Sequence, residues 1–189
     1  MKSSNPIPVL CLVLAAAGPL HPQAAPQGVN PDAAIIQGFQ KRVGEYDKLR
    51  KAAEGKLPRL KRTPSQAKIA HHQRELAHKI REARERAKQG DIFTPEISSE
   101  FKRLIAIAMQ GRDATRVKQS LKSAEPVNLQ LRVNDAYPTH VPLQSTPPTL
   151  LLSLPDLAAD LDYRVVGHDL VLHDAKANLI VDFIPNAIP

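Results

Sequence analysis

The chain of 189 residues has no tryptophan, one cysteine, three tyrosines and four phenylalanines. Its clearest apolar run, Val9–Ala17, is nine residues long. A membrane-spanning helix needs ~20 apolar residues, so no span is expected. Cys11 sits inside that run. If the run is removed on export, no thiol is left. Disulfides, thiolate catalysis and cysteine-ligated zinc are then excluded together, and the fold must be held by its core. The sequence has neither a glycine-rich phosphate loop nor a nucleophile-elbow pattern. Few aromatics also means little capacity to stack single-stranded bases.

The first residues read as a secretory signal over 1–24. Lys2 charges a short n-region, Val9–Ala17 forms the apolar core, and Gly18, Ala24 and Ala25 are small. Those are the three parts of such a signal. Cleavage is expected after Ala17, where Ala15 and Ala17 make an A-x-A pattern, or near Ala24. Leu10 precedes Cys11 where a lipoprotein would need a small residue, so Cys11 reads as apolar filler.

The net charge of +7 is polarised. Residues 41–122 carry 22 Lys and Arg against 10 Asp and Glu, whereas residues 123–189 carry 3 against 8. Composition changes at the same place, from Ala, Lys, Arg and Gln to Pro, Val, Leu and Asp. This predicts a basic helical region over 29–123 and an acidic β-rich module over 124–189. The expected fold is α+β, an N-terminal bundle of three to four helices followed by a small antiparallel β module.

A first helix is expected over about Pro31–Glu54, because Ile35, Phe39, Val43, Tyr46, Leu49 and Ala53 recur at three- and four-residue steps. Asn30 suits its N-cap and Gly55 its end. The segment Lys56–Arg62 (KLPRLKR) is a basic linker broken by Pro58. A second helix is predicted from Thr63-Pro64-Ser65-Gln66, read as a cap with a capping box, to about Gln89. Its apolar stripe is Ile69, Leu76, Ile80, Ala83 and Ala87. A third opens at Thr94-Pro95-Glu96 and presents the widest apolar face, with Ile97, Phe101, Leu104, Ile105, Ala108 and Met109. A short fourth is expected over Asp113–Ser123. Beyond it, Val127–Val133 alternates like a half-buried strand, and Tyr137–Pro148 is proline-rich and irregular. Thr149–Leu154 is ambiguous between helix and strand. Tyr163–Val166 and Asp169–His173 form a hairpin around Gly167-His168, and Asn178–Ile184 is the last strand.

Three sets of side chains are candidates for chemistry. His71, Glu75 and His78 stand at helical steps that can hold a metal. On a helical wheel at 100° per residue they fall about 180–240° from Ile69, opposite the apolar stripe. A solvated face is the preferred reading, with these three kept as metal candidates. Arg74, Lys79, Arg81, Arg84, Arg86 and Lys88 form a basic surface interrupted by Glu75, Glu82 and Glu85. Such a surface suits phosphates or an acidic partner, and part of it can meet the chain's own acidic half. His168-Asp169 and His173-Asp174 have the residue types of acid–base chemistry. Positions 168 and 173 differ by an odd number, so on one strand they face opposite sides.

The tail Tyr163-Arg164-Val165-Val166-Gly167-His168-Asp169-Leu170-Val171-Leu172, followed by Ala177-Asn178-Leu179-Ile180-Val181-Asp182, resembles the end of a group of uncharacterised exported bacterial proteins. They share the pattern Y-R-x-V-G-x-D-L-x-L with A-N-L-I-V-D, and the resemblance implies no catalytic residue. The V-G-x-D-L hairpin with its following apolar strand is similar to the tail of periplasmic nickel and cobalt homeostasis proteins. That likeness implies nickel, cobalt or zinc homeostasis as an alternative function.

The leading expectation is a non-enzymatic periplasmic or secreted protein of the cell envelope. Its expected partners are anionic envelope components or an acidic protein, with no nucleic acid and no cofactor. An enzyme of unknown type, with an Asp- or His-lined pocket, is the other alternative. The exported protein should begin after Ala17 or near Ala24, as read by mass spectrometry of its N-terminus. An intact Met1 in the exported fraction would overturn the signal-peptide reading.

Overall fold

The structure, a computed structural model, describes residues 31–110, 114, 115, 119, 129–138 and 147–188. The export segment, most of the expected fourth helix, the start of the Val127–Val133 strand and the middle of the proline-rich stretch lie outside the described residues. Among the described residues, three long helices and one short one precede a three-stranded antiparallel sheet, so the fold is α+β. No helix among the described residues is long and apolar enough to cross a membrane.

Helix α1 spans Pro31–Glu54. Phe39, Val43, Tyr46, Arg50 and Ala53 are buried at steps of four and three, so a single stripe faces inward. Arg50 therefore lies in the seam between Tyr46 and Ala53, where the sequence pattern had placed half-buried Leu49. Pro58 cannot donate a backbone hydrogen bond, and the chain beyond α1 leaves helical geometry.

Helix α2 spans Gln66–Ala83. Its N-cap is Ser65, whose hydroxyl accepts from the Lys68 N–H. Thr63 instead accepts from the Ser65 N–H, one step before the cap. The N-cap expected at Thr63 is thus displaced by two residues, without a capping box, because the first cap-competent hydroxyl is committed to a local turn. The helix also stops six residues before Gln89. At Arg84 the carbonyl is taken by the Asn134 side chain, at 3.0 Å, and the chain turns away. Its buried face is Leu76, Ala77 and Ile80, while Ile69 and Ala83 are exposed. The buried face is centred about 35°, roughly a tenth of a turn, from the stripe drawn from Ile69. Helix α3, Pro95–Ala108, keeps its expected start, with Thr94 accepting from the Ile97 N–H and Pro95 in the first turn.

The sheet runs β1 (Leu161–Val166), β2 (Asp169–Asp174), β3 (Leu179–Ile184), in that order. Gly167 opens the two-residue turn between β1 and β2 at φ 59°, the position where a type II′ turn needs glycine. The β2–β3 register slips by one residue: Leu172 faces Asp182 and His173 faces Ile180, which leaves Val181 unpaired. With strict alternation from Leu179, Asp182 would share the far face with Ile180. The extra residue returns it to the helical side.

One hydrophobic core takes residues from α1, α2, α3 and the sheet. Phe39 and Phe101 meet at 4.8 Å between ring centres, Phe93 and Phe101 at 5.2 Å, and Tyr163 of β1 completes the cluster at 6.0 Å from Phe101. Such edge-to-face contacts add about 0.5–1.5 kcal/mol each beyond burial. The other face of the sheet carries Tyr137, Val166, Val171 and Ile180, against which Leu129 and Leu131 pack. The strand expected over Val127–Val133 is not formed at 129–133. These leucines cover the sheet instead of extending it. Asn134 then turns the chain at φ 70°, and pairing with β3 is confined to Asn134–Tyr137. The ambiguous Thr149–Leu154 stretch contains a short helix, Pro148–Leu151, and buries Leu150 and Leu154.

The two halves are locked at Asp182. Its carboxylate is fully buried and accepts the N–H groups of Gly90 at 3.0 Å, Ile92 at 2.8 Å and Phe93 at 2.8 Å. It also accepts the N–H of Phe183 at 2.9 Å. Asp182→Ala leaves the three loop donors without an acceptor. At ~1–3 kcal/mol for each unsatisfied group, the variant should lose about 3 kcal/mol or more in urea unfolding. Asp182→Asn keeps one acceptor oxygen and should lose less. A loss below about 1 kcal/mol in the alanine variant would contradict this role.

Candidate anion-binding groove

The histidines and aspartates singled out in the tail do not converge. His168 bonds the Ile188 carbonyl through Nδ1 at 2.9 Å and accepts the Ile188 N–H at its own carbonyl. Asp169 accepts the Asn186 N–H. Both therefore tie the C-terminal residues onto the hairpin. His173 lies on the far face of the sheet, with Nδ1 at 2.9 Å from Asp162 and Nε2 at 3.2 Å from the Asn178 side-chain oxygen. Asp174 points to the helices, accepting from the Tyr46 hydroxyl at 2.7 Å and the Ala177 N–H at 2.9 Å. Four residues that read as acid–base candidates thus hold three separate joints.

Much of the basic half meets the acidic half. The Arg50 guanidinium, 3 % exposed, bonds Asp47 at 2.6 Å and Asp160 at 2.7 Å. Burial alone would lower its pKa, but the hydrogen bonds it donates to Asp160 and Asp47 outweigh that and raise it. Lys176 pairs with Glu54 at 2.6 Å. Arg81 and Arg84, read from the sequence as basic surface, turn inward. Arg81 donates to the Asn134 carbonyl. Arg84 lies 4.9 Å from the centre of the Tyr46 ring and donates to Asn134 and to the Val181 carbonyl freed by the bulge.

His71, Glu75 and His78 are all exposed, on the side of α2 away from the core. His78 lies 3.1 Å from Glu82. Among the described residues, no three His, Cys, Asp or Glu side chains gather as a metal-holding group. His71 and Glu75 instead join a different feature. Together with His72 and Lys68 they form one wall of a cleft of about 550 Å³, whose other wall is the linker 57–63. Leu57 packs against the core and anchors the linker. Arg59, Lys61 and Arg62 follow it around the rim.

This cleft carries surplus positive charge. Four cations (Arg59, Lys61, Arg62 and Lys68) face one carboxylate, Glu75. None of the four belongs to an ion pair among the described residues. A neighbouring cleft at Glu82–Ala87 is lined by Arg84 and Arg86 against Glu82, Glu85 and Asp91, so its charge runs the other way. The basic cleft continues into a second lobe of about 710 Å³, because both are lined by Leu57, Pro58, Arg59, Leu60 and His72. In that lobe Lys51 pairs with Asp47 and Lys176 with Glu54. The groove thus has a lobe of unpaired cations and a lobe whose own lysines are paired, which share Arg59 and meet at the linker. The sequence marked KLPRLKR as a basic linker but not as a site. The density of cations around Pro58 was the available signal, and the wall opposite them needed the fold.

No family model, curated protein or solved structure matches this chain.

The His173–Asp162 contact has a measurable consequence. Burial pushes the Asp162 carboxyl up, but hydrogen bonds from His173 and Arg164 outweigh it and hold the carboxyl below its ordinary range. A carboxylate depressed in the folded state stabilises above about pH 4, and that contribution is lost as pH falls through the lower folded value. Asp162→Asn should therefore flatten the loss of stability below about pH 4, seen as a shallower dependence of the urea midpoint on pH. An unchanged slope would contradict the assignment.

Proposed function

We propose that the protein is an exported, non-enzymatic binding protein of the cell envelope whose ligand or partner is anionic. The observation that carries this reading is the cleft in which Arg59, Lys61, Arg62 and Lys68 converge against a single carboxylate. Convergent cations in a concave site recognise phosphate or carboxylate through charge-assisted hydrogen bonds. The sequence supports the compartment through its apolar Val9–Ala17 run. The structural bonds of His168, Asp169, His173 and Asp174 support binding over catalysis, since each has another task.

Titration of the protein with inorganic phosphate, followed by backbone NMR, tests the reading. The largest shift changes are expected at Arg59, Lys61, Arg62, Lys68, His71 and His72, and they should shrink as salt is raised. Changes centred on Arg74–Lys88, or none, would contradict it. Turnover of a substrate that a single point mutation abolishes would also overturn the binding-protein reading.

A further inference from the structure

The groove is not polar throughout. Leu57, Pro58 and Leu60 line both lobes at the point where they join, and Leu60 is 39 % exposed there. A small inorganic anion would satisfy the cations and leave this apolar junction in water. The two lobes, about 550 Å³ and about 710 Å³, are each of the size that accommodates an organic ligand. The surplus of three positive charges in the cationic lobe favours a dianion over a monoanion. Arg59 and Arg62 supply planar guanidiniums, which can each bind two oxygens of one phosphate.

We infer that the groove receives a single-chain amphiphile with a phosphate head. The head lies among Arg59, Lys61, Arg62 and Lys68. The alkyl chain crosses Leu57, Pro58 and Leu60 into the second lobe, where the paired Lys51 and Lys176 compete little for the phosphate. This rests on the anion-binding reading above and adds the apolar half of the ligand.

Calorimetric titration with three probes tests it: inorganic phosphate, octyl phosphate below its micelle concentration, and uncharged octyl glucoside. Octyl phosphate should bind at least tenfold tighter than inorganic phosphate, and octyl glucoside should not saturate. Leu60→Ser, at an exposed position, should bring octyl phosphate toward the affinity of inorganic phosphate and leave the latter unchanged. Arg59→Gln/Arg62→Gln should weaken both anions at least tenfold. Equal affinity for octyl phosphate and inorganic phosphate would overturn the amphiphile and leave the anion site standing. Equal affinity for octyl phosphate and octyl glucoside would overturn head recognition, and binding of none of the three would remove both readings.

Discussion

The buried carboxylate of Asp182 is the constraint on which the rest of the arrangement depends. It gathers three backbone N–H groups from the loop between α2 and α3 onto the last strand of the sheet. The loop could not otherwise be packed there, because buried backbone donors need acceptors. Two features of the chain make the contact possible. Gly90 reaches φ 91°, a conformation costly for residues with a side chain. The bulge at Val181 turns Asp182 to the helical side. With the loop fixed, Phe93 is held against Phe39 and Phe101, and the aromatic cluster closes over Tyr163.

The charge asymmetry of the sequence serves this assembly. Acidic residues of the C-terminal half meet a basic residue of the helices through Arg50–Asp160 and Arg50–Asp174, while Lys176–Glu54 joins the halves with the charges reversed. Arg50 is the most buried of these cations, with Asp47, Asp160 and Asp174 around it. Its Nε is buried without a hydrogen-bond acceptor among the described residues, 3.9 Å from Asp174, because the other two aspartates set the plane of the guanidinium. Removing one partner from such a group costs more than the pair contributes. Positive charge left over after these internal pairings collects along the linker 57–63, which lines a cleft with Lys68, His71, His72 and Glu75 of α2.

Much of the helical architecture was legible in the sequence. The 3.6-residue period and the prolines at helix starts located α1 and the start of α3, and Gly167 located the hairpin turn. Distant partners decided the rest. Helix α2 ends at Ala83, where the Arg84 carbonyl is shared by the Ala87 N–H and the side chain of Asn134, fifty residues away. Leu129 and Leu131 alternate like a strand, yet they cover a sheet face whose existence only the tail establishes. Strict period-two counting would also put Asp182 on the wrong side, since a bulge is not visible in alternation. The groove was half legible: its cations stand together in KLPRLKR, but His72 and Lys68 oppose them only after the linker folds back.

Anion binding in the groove requires its cations to act together, without a like contribution from the exposed Arg74 of α2 and Arg86 beyond its end. Arg74 and Arg86 lie on the solvent side of the same region and provide the internal comparison. The most direct measurement is the dissociation constant for inorganic phosphate in Arg59→Gln/Arg62→Gln and in Arg74→Gln/Arg86→Gln. Loss of about tenfold or more is predicted for the first pair, from charge-assisted hydrogen bonds of ~1.5–3 kcal/mol each, with no change for the second. Equal losses in the two variants would show that net charge, not the groove, attracts the anion, and would contradict the account.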